Sequence, residues 1–252
     1  TYNSEAFVEA TLISVFDQTR LPDELILIDD GSDDETITLL ESVTSQYGHL
    51  VKCIIKKNKH KGPGASRNEG VRAATGDWIA FLDSDDHWYP SKLAKVEMIL
   101  AKQKGINFIC HSEISRSLSG KSKKLEYYKK FEARTPLPQQ LFRGNLFSTS
   151  AVVCRRELLV NSLGFDELLL SAQDYELWLR LSPQINVFFV QECLGEYIHR
   201  PGNISSGNLM RRFKNELEIA TRYKHLVNQS RYLLRMIRIL VSFLRQSVRK
   251  AN

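Results

Sequence analysis

Short apolar segments that end on acidic residues alternate with helical patterns through the first hundred residues of this 252-residue chain. Residues 24–29 form a strand-like apolar run that ends on Asp29 and Asp30, and residues 77–82 form another that leads into the acidic stretch 83–86. Continuous runs of this kind are typical of strands that are buried on both faces of a parallel sheet. Because helical patterns separate them at short spacing, we predict an α/β fold with a doubly wound, mostly parallel sheet.

The carboxyl ends of these strands carry residues that are suited to chemistry. Ligands bind at this edge of a doubly wound sheet, and Asp29-Asp30, the glycine-rich loop with Arg67, and Asp83 with Asp85 all fall there. Two carboxylates two positions apart suit a hard cation such as Mg²⁺ or Mn²⁺, which keeps open positions for phosphates. The alternative is that these acids only cap the following helices, and that Arg67 forms a salt bridge within the acidic cluster.

Farther along the chain, the pattern predicts a polar, irregular loop over residues 115–135 and two short strands at 187–190 and 194–199. Residues 172–181 predict a helix whose first turn holds Asp174. On the residues alone, Asp174 can equally be an N-cap or first-turn acid that stabilises the start of this helix.

The net charge of +6 is confined to one end of the chain. No acidic residue follows Glu218, whereas eight basic side chains do. Within this end, residues 231–250 place five arginines on one narrow helical face and five aliphatic residues opposite them. Such a helix either packs on the domain with a solvated basic face or lies in the headgroup region of an anionic membrane. The stripe lacks interleaved aromatic platforms, so no nucleic-acid partner is expected.

The four cysteines are widely spaced and form no Cys-x-x-Cys pair. This spacing argues against a zinc site and predicts reduced thiols in a cytosolic protein. The sequence contains no run of 18 apolar residues, so we expect any membrane association to be peripheral or to lie outside this sequence. The chain opens on Thr1 rather than Met, and we expect further sequence to precede it.

Five motifs, in order, give the chain a resemblance to family 2 glycosyltransferases of the GT-A fold over about residues 1–205. They are Thr1-Tyr2-Asn3, Asp29-Asp30-Gly31-Ser32 with Asp34 and Thr36, Gly64 to Asn68 with Arg67, Phe81 to Asp86, and Gly164 to Glu167 followed by Gln173 to Trp178. The resemblance implies a catalytic domain at 1–205 whose first strand lies upstream, and a helical, basic extension at 206–252. The Gln-x-x-Arg-Trp signature of polymerising members is absent, which favours transfer of a single sugar.

The same resemblance implies a role for each candidate site residue. Asp174 would be the catalytic base that deprotonates the acceptor hydroxyl, with Glu176 as a reserve. Asp85 would bind Mn²⁺ or Mg²⁺ with help from Asp83. The nucleotide would be held by Thr1, Asn3, Asp29, Asp30, Arg67 and Asp83.

One departure from the family pattern concerns the end of the catalytic domain. Family members read Tyr-Arg-x-His, where this chain reads Tyr197-Ile198-His199-Arg200. A shift by one position turns a side chain to the other face of a strand. Either His199 joins the metal ligands, or Arg200 meets the diphosphate as a fixed cation.

The resemblance therefore implies an inverting transferase that uses a nucleotide-sugar, expected to be UDP-linked, and a glycan or glycolipid acceptor. Its expected place is the synthesis of cell-surface polysaccharide or glycolipid, in the cytoplasm or at the inner face of the membrane through residues 231–250. The alternative is a degenerate relative that binds nucleotide without turnover, and the shifted His199 is its only support.

Overall fold

The computed structural model describes residues 1–117, 119–169, 171–200 and 208–251. The elements of the first part are, in order, α1 (Val8–Phe16), β1 (Glu24–Asp29), α2 (Thr36–Tyr47), β2 (Lys52–Lys57), α3 (Pro63–Ala73), β3 (Trp78–Ala80), β4 (His87–Trp88) and α4 (Lys92–Lys102). Those of the second part are β5 (Phe108–Ser117), β6 (Ser122–Leu125), α5 (Leu137–Arg143), β7 (Val152–Arg155), α6 (Arg156–Asn161), α7 (Gln173–Leu181), β8 (Val187–His199), α8 (Leu209–Arg222) and α9 (Gln229–Ala251).

The strands β1 and β2 pair in parallel, with Asp29 opposite Lys57 at their carboxyl ends. Helices α1 and α2 cover this pair, because their apolar residues, Leu40 among them, cluster with Leu27 of β1. Helix α3 then begins at Pro63, whose fixed φ suits the first turn of a helix. The parallel pairing places the residues after Asp29 beside the loop that precedes α3.

A second sheet runs in the order β3, β7, β5, β8, β4, with β6 paired to β5. Strands β5 and β8 are parallel, whereas the other pairs in this sheet are antiparallel. Its centre is buried on both faces, since neither Phe108 nor Ile109 of β5 has exposed surface. The α/β class that the sequence predicted is confirmed.

Two local predictions for the second part of the chain were wrong. Strand β5 extends to Ser117 and forms a hairpin with β6, so residues 115–135 are not a loop throughout. The two strands expected at 187–190 and 194–199 are one strand, β8, which follows β5 past shifts in register on either side of Ser112. A polar hairpin has no apolar alternation, which is why the sequence did not reveal it.

The C-terminal helices pack into the same core as the second sheet. Ile219 of α8, Tyr223 directly after α8 and Ile239 of α9 are buried in one cluster with Phe108 of β5 and Trp178 of α7. The boundary expected at residue 205 falls within 201–207, outside the described residues, and stays a prediction. In the part of the chain that the structure describes, no helix has both the length and the apolarity to cross a bilayer.

A buried carboxylate ties α7 to α8. Glu176 of α7 is 1% exposed and accepts hydrogen bonds from Arg180 Nε at 2.9 Å and from the Tyr223 hydroxyl. Arg222 of α8 lies 3.8 Å from the same carboxylate and pairs with Asp166 at 2.6 Å. Because a buried charge needs its partners, we interpret Glu176 as a structural residue of the core and not as a residue that contacts substrate.

Replacing Glu176 by Ala is expected to lower the free energy of unfolding by about 3 kcal/mol, because the partners of the buried carboxylate are left unpaired. Urea unfolding followed by circular dichroism measures this change. Glu218→Ala is the matched control, since Glu218 is 53% exposed and its pair with Arg222 contributes at most about 1 kcal/mol. Equal losses from the two variants would contradict a structural role specific to Glu176.

Candidate functional site

The acidic segment after β3 is held in place by Ser150, which lies in the short turn before β7. The backbone N–H of Asp83 donates to Ser150 Oγ at 3.0 Å, and Ser150 Oγ donates to Asp86 Oδ2 at 2.6 Å. Asp86 is 1% exposed, and its other oxygen accepts from the N–H of Ile198 at 3.0 Å. One serine and one buried aspartate therefore fix this segment to both β7 and β8.

A buried lysine lies behind the same segment. Lys92 Nζ donates to the Ser150 carbonyl at 2.8 Å and sits 3.9 Å from the ring centroid of Trp88. Burial lowers the pKa of Lys92 to about 7, and the charge of Glu113 partly offsets this effect. Burial also raises the pKa of Asp86 well above its usual value. Sequence reasoning missed Ser150 and Lys92, because they are 58 positions apart in the chain and belong to no common motif.

Arg67, in α3, forms the centre of the charged cluster. Its Nη2 donates to Asp83 Oδ1 at 2.7 Å, and its guanidinium lies over the Phe165 ring at 5.5 Å. Burial lowers the pKa of Arg67, but the charges of Asp83, Asp174 and Asp85 raise it by more. The guanidinium therefore stays charged, bonded to Asp83 and stabilised by the charges of Asp174 and Asp85.

Asp85 pairs with Arg200 at the end of β8. Arg200 Nε donates to Asp85 Oδ2 at 2.6 Å, and the guanidinium lies 4.9 Å from the ring centroid of Phe7. Burial raises the pKa of Asp85, and the charge of Asp83 adds to this, although the hydrogen bond from Arg200 opposes it. His199, one position earlier, is exposed and packs its ring edge-on against Tyr197 at 4.8 Å. The structure brings Arg200 to the acidic segment.

The pair of Asp83 and Asp85 fits a hard divalent cation. Both supply carboxylate oxygens, the ligands that Mn²⁺ and Mg²⁺ prefer, and such ions take further ligands from phosphates. One oxygen of each carboxylate is engaged by an arginine. Within residues 1–117, 119–169, 171–200 and 208–251, no group of three or more His, Cys, Asp or Glu side chains is arranged to hold a metal ion.

Asp29 organises the turn that follows β1. Its carboxylate accepts from the N–H groups of Gly31 and Ser32, both at 3.0 Å, from Ser32 Oγ at 2.5 Å and from Thr1 Oγ1 at 3.1 Å. Burial raises the pKa of Asp29, but these hydrogen bonds lower it by more. Thr1 also donates its amino group to the carbonyl of Ile28 at 2.6 Å. The first residue of the chain therefore lies along β1.

Asn3 joins this turn from the other side. Asn3 Nδ2 donates to Asp33 Oδ1 at 2.6 Å, and its Oδ1 accepts from the Asp33 N–H at 3.1 Å. Asn3 has φ of +43°, a region that asparagine tolerates better than most residues. Its amide is therefore engaged with the loop after β1.

Asp30 orders the loop before α3. Its oxygens accept from the N–H of Lys61 at 2.8 Å and the N–H of Gly62 at 2.7 Å, and it is 3% exposed. Beside it, the exposed rings of Tyr2 and His60 lie 4.2 Å apart. A carboxylate oxygen accepts two hydrogen bonds, so Asp30 keeps capacity for a further donor.

Asp174 is the second residue of α7, which follows Ala172 in the left-handed region at φ +62°. Its Oδ2 accepts from Asn145 Nδ2 at 3.0 Å, while Asn145 Oδ1 accepts from the N–H of Phe147 at 3.0 Å. The second bond fixes which end of the Asn145 amide faces Asp174. Burial raises the pKa of Asp174, and the charge of Arg67 and the hydrogen bond from Asn145 act against this shift. Sequence reasoning missed Asn145, which belongs to no motif.

The geometry separates the predicted residues into two groups. In the first group, Arg67 pairs with Asp83 and Arg200 pairs with Asp85. The charges of Asp85 and Asp174 also act on Arg67. In the second group, Thr1, Asn3 and Asp29 contact one another or the turn after β1, and Asp30 binds the backbone of the loop before α3. A site of this kind can hold an anion against two arginines and place a carboxylate of raised pKa beside it.

Comparison with known proteins identifies relatives of the chain. The family model for Glycosyl transferase family 2 matches residues 1–159. The amylovoran biosynthesis glycosyltransferase AmsB of Erwinia amylovora is 31% identical over 185 residues, a match that covers 71% of this chain and 60% of that relative. The chain thus spans about three fifths of the length of this relative.

Two solved structures share the fold. S. aureus TarS in complex with UDP-GlcNAc aligns with a TM-score of 0.73 at 20% identity, over 95% of this chain and 69% of that one. The mannosyltransferase PcManGT from Pyrobaculum calidifontis, in complex with GDP-Man and Mn²⁺, aligns with a TM-score of 0.68 at 14% identity, over 96% of this chain and 67% of that one. The likeness confirms the GT-A-like architecture that the sequence predicted.

Replacing Arg200 by Gln is expected to strengthen Mn²⁺ binding in the absence of nucleotide by about fivefold, because a guanidinium no longer competes for Asp85. Calorimetric titration with MnCl₂ measures this affinity. Arg116→Gln is the control, since Arg116 pairs with Glu196 at 2.6 Å instead. Unchanged or weaker Mn²⁺ affinity in the Arg200 variant would argue against Asp85 as a metal ligand.

Proposed function

The chain belongs to Glycosyl transferase family 2, and from this premise we propose that it transfers a single sugar from a nucleotide-sugar to an acceptor hydroxyl with inversion. The observation that carries the proposal is the cluster in which Arg67 lies among Asp83, Asp85 and Asp174. This cluster combines a site for a charged leaving group with a carboxylate of raised pKa. Both are needed when a sugar–diphosphate bond breaks as a hydroxyl attacks.

We assign donor binding to the loops at the carboxyl ends of β1 and β2. Asp29 and Asp30 order these loops through backbone hydrogen bonds, and Asp30 keeps an acceptor position for the N–H of a base. Thr1 and Asn3 complete the same surface, and Asp83 lies close enough to Arg67 to share the nucleotide with it. A UDP-linked donor is supported by the UDP-GlcNAc that TarS binds in its solved complex.

We assign stabilisation of the leaving diphosphate to Arg200 and to the carboxylates that suit a divalent ion. Asp85, with help from Asp83, would hold Mn²⁺ or Mg²⁺, and the PcManGT complex with Mn²⁺ supports this choice. When bound, such an ion supplies Lewis-acid stabilisation of the developing negative charge. Arg200 already lies at Asp85, so it can turn from the carboxylate to a phosphate oxygen without changing its place in the fold.

We assign the role of general base to Asp174. An inverting transfer needs a base on the acceptor side of the anomeric carbon, and Asp174 faces Arg67 and the acidic segment from α7. Asn145 donates to one of its oxygens, and because each carboxylate oxygen accepts two hydrogen bonds, the carboxylate keeps capacity for the acceptor hydroxyl. Burial raises the pKa of this carboxylate and so increases its basicity.

The acceptor class that we propose is a glycan or glycolipid of the cell surface. The name of AmsB, an amylovoran biosynthesis glycosyltransferase, supports polysaccharide synthesis. Peripheral contact of residues 231–250 with an anionic membrane, at its inner face, belongs to the same proposal. The second candidate, a nucleotide-binding relative without turnover, has the displaced His199 in its favour.

Asp174→Asn is expected to lower kcat for transfer by about 10²- to 10⁴-fold, because the variant keeps the shape of the side chain and loses the base. Mass-spectrometric detection of nucleoside diphosphate release from a panel of nucleotide-sugars with Mn²⁺ measures turnover, and calorimetry with UDP measures binding. Asp23→Asn, at a side chain that is 87% exposed, is the control. Full activity of the Asp174→Asn variant would show that Asp174 is not the general base. UDP binding without turnover by the unmodified protein would establish the second candidate.

The acid limb of the pH profile of kcat/KM is expected to lie above the ordinary range of an aspartate, because burial raises the pKa of Asp174. Asn145→Asp should move this limb to still higher pH, since a like charge at that position makes ionisation of Asp174 harder. Asn161→Asp adds the same charge at the end of α6 and should leave the limb in place. If the acid limb does not move in the Asn145 variant, the group whose ionisation it reports is not Asp174.

A further inference from the structure

Helix α9 has two apolar faces. One is packed on the protein, where Ile239 is 2% exposed and the ring of Phe243 lies 4.4 Å from that of Phe213 in α8. The other points outward and consists of aliphatic side chains that are 38% to 61% exposed, namely Leu233, Leu234, Ile237, Leu240, Val241, Leu244 and Val248. At 3.6 residues per turn, these seven span an arc of about 120° along the helix. We call this arc the outer stripe.

The arginines of α9 divide between the protein and the solvent. Arg231 donates to Gln139, and Arg235 pairs with Glu216 at 3.0 Å. Arg238 and Arg245 are exposed and form no ion pair with any described residue. By helical geometry both lie directly beside the outer stripe. The sequence predicted one basic face opposite one apolar face, whereas the structure uses part of the basic face for packing and leaves apolar residues exposed.

We propose that the outer stripe of α9 inserts into the headgroup region of an anionic bilayer, with Arg238 and Arg245 against lipid phosphates. This deepens the membrane contact within the proposed function and rests on it. The combination of an apolar arc with arginines at its border is the geometry by which an interfacial helix binds a membrane. Long arginine side chains can keep their apolar stems along the stripe while the guanidinium reaches a phosphate.

Charge selects the bilayer over a second copy of the chain as the occupant of the outer stripe. Residues 219–252 contain no carboxylate side chain, so two α9 helices in contact would bring arginines together without a local counter-charge. An anionic lipid surface supplies that counter-charge along the whole helix, and each arginine near such a surface strengthens binding by about fivefold.

Vesicle flotation without nucleotide or acceptor tests the proposal independently of glycosyl transfer. The unmodified chain is expected to bind phosphatidylcholine vesicles that contain phosphatidylglycerol. It should not bind vesicles of pure phosphatidylcholine. Ile237→Glu/Leu244→Glu should abolish this binding, and Arg238→Gln/Arg245→Gln should weaken it about 25-fold. Met98→Glu, at a residue of α4 that is 49% exposed, is the matched control and should bind as the unmodified chain does.

Sedimentation velocity of the same proteins tests the alternative that a second copy of the chain covers the outer stripe. A monomer that binds anionic vesicles supports the proposal. A dimer that Ile237→Glu/Leu244→Glu converts to a monomer would overturn it and make the outer stripe an interface between copies. Failure to bind either vesicle, or equal binding to both, would also overturn it. None of these outcomes depends on turnover, so a failure here leaves the proposed transfer reaction untouched.

Discussion

The hydrogen bonds that meet at Ser150 are the interaction on which the site depends. The acidic segment after β3 brings like charges close together, and its repulsion has to be offset by fixed partners. The Ser150 hydroxyl donates to the buried Asp86 carboxylate, and its oxygen accepts from the backbone N–H of Asp83, which fixes the course of the segment. The Ser150 carbonyl is held in turn by Lys92. Because each of these groups is buried or half-buried, loss of one deprives its neighbours of a hydrogen bond in a medium of low polarity.

Around this anchor, two arginines hold the carboxylates of the acidic segment in place. Arg67 faces Asp83, and Arg200 faces Asp85. Each pair joins one guanidinium to one carboxylate, so the two arginines offset the negative charges of Asp83 and Asp85. In the proposed function, the oxygens of an anionic diphosphate would compete with these carboxylates for the two guanidinium groups. Without the two arginines, the charges of Asp83 and Asp85 would repel each other at the end of β3 with less to offset them.

The sequence predicted those parts of the site that are local in the chain. Apolar runs located the strand ends, so Asp29, Asp30, Asp83 and Asp85 were placed at one edge of the sheet. Ser150 and Asn145 could not be predicted in this way, because their importance comes from partners 64 and 29 positions away. The outer stripe was visible as apolar residues, but periodicity alone does not tell which of two apolar faces of α9 meets the protein. The antiparallel hairpin of β5 and β6 was missed because its residues are polar.

The Glu176 network has a consequence for how an acceptor reaches the site. It joins α8 to the same helix, α7, whose first turn carries Asp174, and α9 packs on α8. For a protein that rests on a bilayer through α9, this chain of contacts sets the height of Asp174 above the lipid surface. A lipid-linked acceptor would then search in two dimensions and meet the base at a fixed distance from its anchor. Its effective concentration at the site would be set by the length of its head group. The distance from α9 to Asp174 would therefore favour acceptors whose head group matches that length.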